Sequence, residues 1–82
     1  MSEVAHTLTM LLTCLGGDEC TVYVEPWGSE HLLKKGDLFT LTVSGSAASN
    51  VEVSYVANGI IVGIRDDVDA TLTDRSGARL TI

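Results

Sequence analysis

Positive charge is scarce in this chain. Five Lys and Arg residues stand against eleven Asp and Glu in 82 residues, a formal net charge of −6. Binding to nucleic acid through a cationic face is therefore not expected. Long apolar runs are missing too. No stretch approaches the roughly 20 residues of a membrane-spanning helix, so no membrane partner is expected. The apolar N-terminal segment MSEVAHTLTMLLTCLGG is interrupted by threonines and has no basic leader, which makes it a poor signal peptide. The expected location is cytoplasmic, with thiols reduced.

Chemistry-bearing side chains are few. The histidines are His6 and His31, and the cysteines are Cys14 and Cys20. The spacing CLGGDEC is not the C-x2-C pairing of a structural zinc site. The acidic run Arg65-Asp66-Asp67-Val68-Asp69 lacks the spacing of a calcium loop and reads as a solvated turn. No serine or cysteine sits in a local nucleophile signature. The glycines fall at turns, not in a phosphate loop. The chain is expected not to be an enzyme, and to use neither cofactor nor metal. Cys14 and Cys20 read as small buried apolar groups in a reducing cytosol. An oxidising compartment would allow a disulfide between them.

What the sequence does have is alternation. Leu8, Met10, Leu12 and Cys14 alternate with Thr7, Thr9 and Thr13. The segment also fits a helix through Val4, Leu8, Leu11, Leu12 and Leu15, but its β-branched threonines favour strand. After LGGDE comes Cys20–Glu25, with Val22 and Val24 on one face. Pairing these two segments as a hairpin sets Cys14 opposite Cys20, Leu12 opposite Val22 and Met10 opposite Val24.

The stretch EPWG holds the only proline and only tryptophan. It reads as a type I turn, with Pro26 at the second position and Gly28 at the fourth. Trp27 is expected to cover one end of the core, since no other side chain here supplies as much area. A short strand from Glu30 to Leu33, a turn at Lys34–Asp37 and a strand with Phe39, Leu41 and Val43 inward follow. SGSAASN reads as a loop. Asn58-Gly59 is the strongest hairpin signal. It pairs Ala57 with Ile60, Tyr55 with Val62 and Val53 with Ile64, all pointing inward. RDDVD is a loop, and two last strands flank DRSGA. The sum is one all-β domain over residues 1–82, a small antiparallel β-sandwich or barrel of seven to eight short strands.

The run VEPWGSEHLLKKGD, with the alternating FTLTV after it, resembles a group of small uncharacterised bacterial proteins. Their pattern is a strand, E-P-W-G-E, a short strand, P-G-D/E and further strands. The resemblance covers about residues 20 to 65. It departs at Lys35, where the pattern often has proline, and at Ser29, which stands between Gly28 and Glu30. It implies a small β domain and carries no activity and no functional residues. A P-W-G before a strand also occurs in some cupins. Their G-x5-H-x-H metal motif is absent here, so nothing is carried over from them.

Two functions are expected from this reading. The first is a non-catalytic protein-interaction module: a small acidic accessory, adaptor or inhibitor-like protein with a protein partner. The alternative is a cupin-like barrel binding a small ligand or metal around Trp27, Glu30 and His31, with His6 as a further ligand. The small core favours a homo-oligomer, with a dimer first. Alternation leaves Val56, Ile61, Leu11 and Leu38 on outward positions. With Trp27, they are the candidate interface.

Overall fold

The computed structural model describes residues 6–45, 51–65 and 68–82. Its eight strands are β1 (His6–Leu12), β2 (Glu19–Glu25), β3 (Ser29–Lys34), β4 (Phe39–Gly45), β5 (Glu52–Val56), β6 (Gly59–Gly63), β7 (Asp69–Thr73) and β8 (Arg79–Leu80). They form two four-stranded sheets. Sheet A runs β1-β4-β7-β8 and sheet B runs β3-β2-β6-β5. The fold is an all-β sandwich with open edges, not a closed barrel.

Sheet A is antiparallel throughout. Its register matches like with like. Leu8, Met10 and Leu12 lie opposite Val43, Leu41 and Phe39, and Leu41 and Val43 lie opposite Leu72 and Ala70. The alternate positions are hydroxyls: Thr9, Thr42 and Thr71 share one row, and Thr40 and Thr73 share the next with Leu11. A slip by one residue would turn the core side chains to water and the threonines inward. Leu41, Val43 and Leu72 are fully buried, and they meet Val22, Val24, Leu33 and Val62 from sheet B. The strand reading of the first segment holds.

Sheet B departs from the expected all-antiparallel arrangement, because β2 and β6 are parallel. The chain leaves this sheet after the β2–β3 hairpin and builds β4 in sheet A. It returns with the β5–β6 hairpin, whose second strand docks on the open side of β2. At Gly59 the two backbones come so close that a Cβ there would overlap the Thr21 carbonyl oxygen. Only glycine fits that approach. The Thr21 amide donates to the Asn58 carbonyl at 2.8 Å beside it.

Four local expectations are corrected. The first two segments do not form a hairpin: β1 pairs with β4 and β2 with β3 and β6, so the chain crosses between sheets at residues 13–18. Leu12 and Val22 are therefore in different sheets of one core. Cys14 and Cys20 are not free. The crossing brings their Cα atoms to 5.8 Å and they form a disulfide. The EPWG turn does not close with the expected bond from the Gly28 amide to the Glu25 carbonyl: that amide donates to the Val24 carbonyl at 2.9 Å, and the Glu25–Pro26 peptide is cis. The turn carries Trp27 away from the core and leaves it 43% exposed.

The β5–β6 hairpin is also one pair out of place. Its turn is Ala57-Asn58, with Val53 opposite Val62 and Tyr55 opposite Ile60. The shift is two residues, so Val53, Tyr55, Ile60, Val62 and Ile64 still share one face. The turns at KKGD and DRSGA form as expected. In the second, the Asp74 carboxylate accepts from the Ser76 amide and hydroxyl and from the Ala78 amide. The bond from the Ser76 hydroxyl leads in holding its carboxyl below the usual range. SGSAASN and RDDVD fall partly outside the described residues, at 46–50 and 66–67.

Candidate functional site

Among the described residues, four strands have a side with no partner strand: β1 and β8 in sheet A, and β3 and β5 in sheet B. Two of these edges are protected by the usual means. β3 carries Glu30 and Lys34, and β8 is two residues long with Arg79. β5, sequence EVSYV, has one charge, at its first residue. Its inner-side residues continue the row of Val62 and Ile60. Nevertheless Val53 is 48% exposed and Tyr55 is 87% exposed. β5 therefore extends past the margin of the opposing sheet.

Beside Tyr55 a cleft of about 430 Å³ opens at this end of the sandwich. Its floor is core: Leu12, Val22, Leu33 and Ile60. Its walls are Leu11 and Thr13 from the end of β1, Cys20 of the disulfide, and the β5–β6 turn. Among the described residues of the lining, Glu19 is the one that is charged. Leu11 is 65% exposed, and Leu15, in the adjoining crossing, is more open still.

The outer face of sheet B is read row by row from the pairing. One row is Leu32–Thr21–Gly59–Val56, and the next is Glu30–Tyr23–Ile61–Ser54. A third holds Glu25, Gly63 and Glu52. The Asn58 side-chain amide donates to the Tyr23 hydroxyl at 3.0 Å, fixing the ring beside Gly59. The strands of this sheet carry four carboxylates, Glu19, Glu25, Glu30 and Glu52, against one cation, Lys34. Sheet A carries only Asp69 and Arg79 on its strands, apart from His6. Among the strand residues, the surplus of carboxylates thus lies on sheet B.

The candidate interface residues do not form one patch. Val56 and Ile61 are diagonal neighbours on the outer face of sheet B, both half-buried. Leu11 belongs to sheet A and borders the cleft. Leu38 precedes β4 and is half-buried, and Trp27 sits in the β2–β3 turn. The residues around the proposed ligand site separate as well. Glu30 and His31 are adjacent on β3 and so project to opposite faces. Glu30 is exposed, whereas His31 is half-buried and meets Phe39 edge to face at 6.4 Å. His31 Nε2 and Ser29 Oγ are buried without hydrogen-bond partners among the described residues. Burial holds the His31 pKa below its ordinary value. The side chain of His6 lies outside the described residues, as do Asp66 and Asp67. Among the described residues no group of three His, Cys, Asp or Glu side chains is placed to hold a metal ion.

Tyr55, like Trp27 and Val53, is more exposed than the sequence suggests. Its alternation with Val53 correctly gives the inner face, but alternation does not say how far the opposite sheet extends. Compared with known proteins, the chain matches no family model, no curated protein and no solved structure. No helix among the described residues is long and apolar enough to cross a membrane.

Proposed function

We propose that the chain is a non-catalytic protein-interaction module that binds a protein partner at the β5 end of the sandwich. The observation that carries this reading is Tyr55. A tyrosine 87% exposed beside a cleft floored by core residues leaves apolar area uncovered. Tyrosine is also among the residues that most often dominate protein–protein binding. The ligand-binding alternative gains no such support, since Glu30 and His31 face opposite ways.

The test is affinity capture from the native host with wild-type chain and Tyr55→Ser side by side, followed by titration of the purified partner. The expected result is a partner held by wild type and lost by the variant at an unchanged melting temperature. Equal retention by both would refute the site. A homodimer is a separate proposal, formed away from the β5 edge, checked by light scattering across a dilution series. The cytoplasmic location is also a proposal, and the disulfide supplies its test, because such bonds persist mainly in oxidising compartments. Thiol alkylation in intact cells should label both cysteines if the chain resides in a reducing cytosol, and neither if it does not.

A further inference from the structure

Resting on that reading, we propose that the partner docks as an extended segment that adds a strand to the free edge of β5, with apolar side chains alternating with Lys or Arg. Three observations carry this. No described strand pairs with the outer side of β5. Unlike β3 and β8, this edge has no cation, and it has no proline. An edge of this kind offers its backbone groups to another chain.

The second observation is the side-chain pattern the edge would impose. A strand beside β5 places every other residue on the cleft side, next to Val53 and Tyr55. Apolar residues there form the aromatic and β-branched cross-strand pairs that stabilise sheets, and they cover area that is now open. The residues between them fall on the outer face of sheet B, next to Glu52, Ser54 and Val56. This follows from strand periodicity alone.

The third observation is charge. The outer face of sheet B is where four carboxylates stand against one lysine, and an added strand would lie at the end of the row holding Glu25, Gly63 and Glu52. Cations at those positions are complementary to it, and carboxylates are not. The same field argues against a second copy as occupant, because each copy carries a formal charge of −6. The edge of β1 is the weaker competitor. Its sheet has a threonine outer face and no comparable surplus of carboxylates.

The experiment uses the full chain with its disulfide intact and two capped synthetic peptides, one alternating valine with lysine and one alternating valine with glutamate. Amide hydrogen exchange and chemical shifts are followed by NMR. The lysine peptide should slow exchange at residues 52–56, and it should bind at least about tenfold more tightly than the glutamate peptide, with the difference shrinking as salt is raised. Val53→Lys places a cation on the edge and should weaken lysine-peptide binding by about tenfold or more. If that variant fails to fold, Tyr55→Ser replaces it, since that side chain is almost fully exposed. Equal binding of both peptides, protection on β1 instead, or β5 amides protected by self-association alone would each overturn the proposal. Capture that depends on Tyr55, without binding of the lysine peptide, sinks strand addition but leaves the interaction module standing. Capture that ignores Tyr55 sinks the module's site itself.

Discussion

Two glycines on β6 give a paired test of how closely the sheets are built. Gly59 and Gly63 are on the same strand and the same outer face, each between β2 and β5. At Gly59 an added methyl would overlap the Thr21 carbonyl oxygen and come within 2.7 Å of the Thr21 carbonyl carbon and amide nitrogen. Those are backbone atoms, so β6 must move away from β2. Overpacking of this kind costs about 1–3 kcal/mol. The movement also threatens the 2.8 Å bond between the Thr21 amide and the Asn58 carbonyl, worth about 1 kcal/mol. The expected loss for Gly59→Ala is therefore about 2–4 kcal/mol. For a domain of this size that lowers the melting temperature by about 10–30 °C. At Gly63 the nearest atoms to a new methyl are the Glu52 carbonyl oxygen at 3.6 Å and its Cβ at 3.8 Å. That is ordinary contact, and removing a glycine from the unfolded chain favours folding by up to about 1 kcal/mol. Gly63→Ala should melt at or slightly above the wild-type temperature. Circular dichroism melts and urea titrations of both variants, without reductant, decide the matter. A Gly59→Ala protein as stable as wild type, or a Gly63→Ala protein equally damaged, would refute the account of the β2–β6 approach.

Opening the disulfide, by reductant or by joint Cys14→Ala and Cys20→Ala, should cost about 2 kcal/mol from the short loop it closes, read as a lower urea midpoint; identical midpoints would show that the link constrains nothing. Stability should fall as pH drops below about 6.5, because the unfolded chain protonates His31 more readily than the folded one does; His31→Leu should flatten that part of the curve, and an unchanged slope would remove His31 as its cause. The effect of Asp74 has the same sign but belongs to the carboxylate range. Trp27→Ala should cost about 2 kcal/mol, under the 3–5 of a core tryptophan, and a loss in that larger range in thermal melts would put the ring back in the core.

Alternation alone carried most of the fold. It assigned Phe39, Leu41 and Val43 to the interior, and likewise Val22 with Val24 and Leu8 with Leu12. Period two fixes which way a side chain points, and that much is local. Which strand sits beside which is not local. The same alternation fits a β1–β2 hairpin and a crossing between sheets, and the choice is settled by β4, whose apolar positions match those of β1 one for one. Asn58-Gly59 misled for a different reason. The dipeptide favours a turn, but Gly59 is needed within β6, where the neighbouring β2 approaches too closely for any side chain. The candidate site was the least legible part. Tyr55 stands exposed because of how far the opposing sheet reaches over β5, and nothing within EVSYV encodes that.

The disulfide also shapes how the fold would yield to force. Tension applied at the N-terminal end of β1 meets the pairs with β4 one at a time, beginning at His6 and Gly45 and ending at Leu12 and Phe39. That is unzipping, the weak direction for a sheet. Past Leu12 the load reaches Cys14, and the crosslink passes it directly to Cys20 at the start of β2. The intervening residues bear none of it and stay slack. Sheet B is thus loaded as soon as β1 has peeled away. Reduced, the crossing would first straighten and release about 15 Å of chain before sheet B felt any pull. The bond makes the two sheets yield in immediate succession, and its reduction inserts a pause between them.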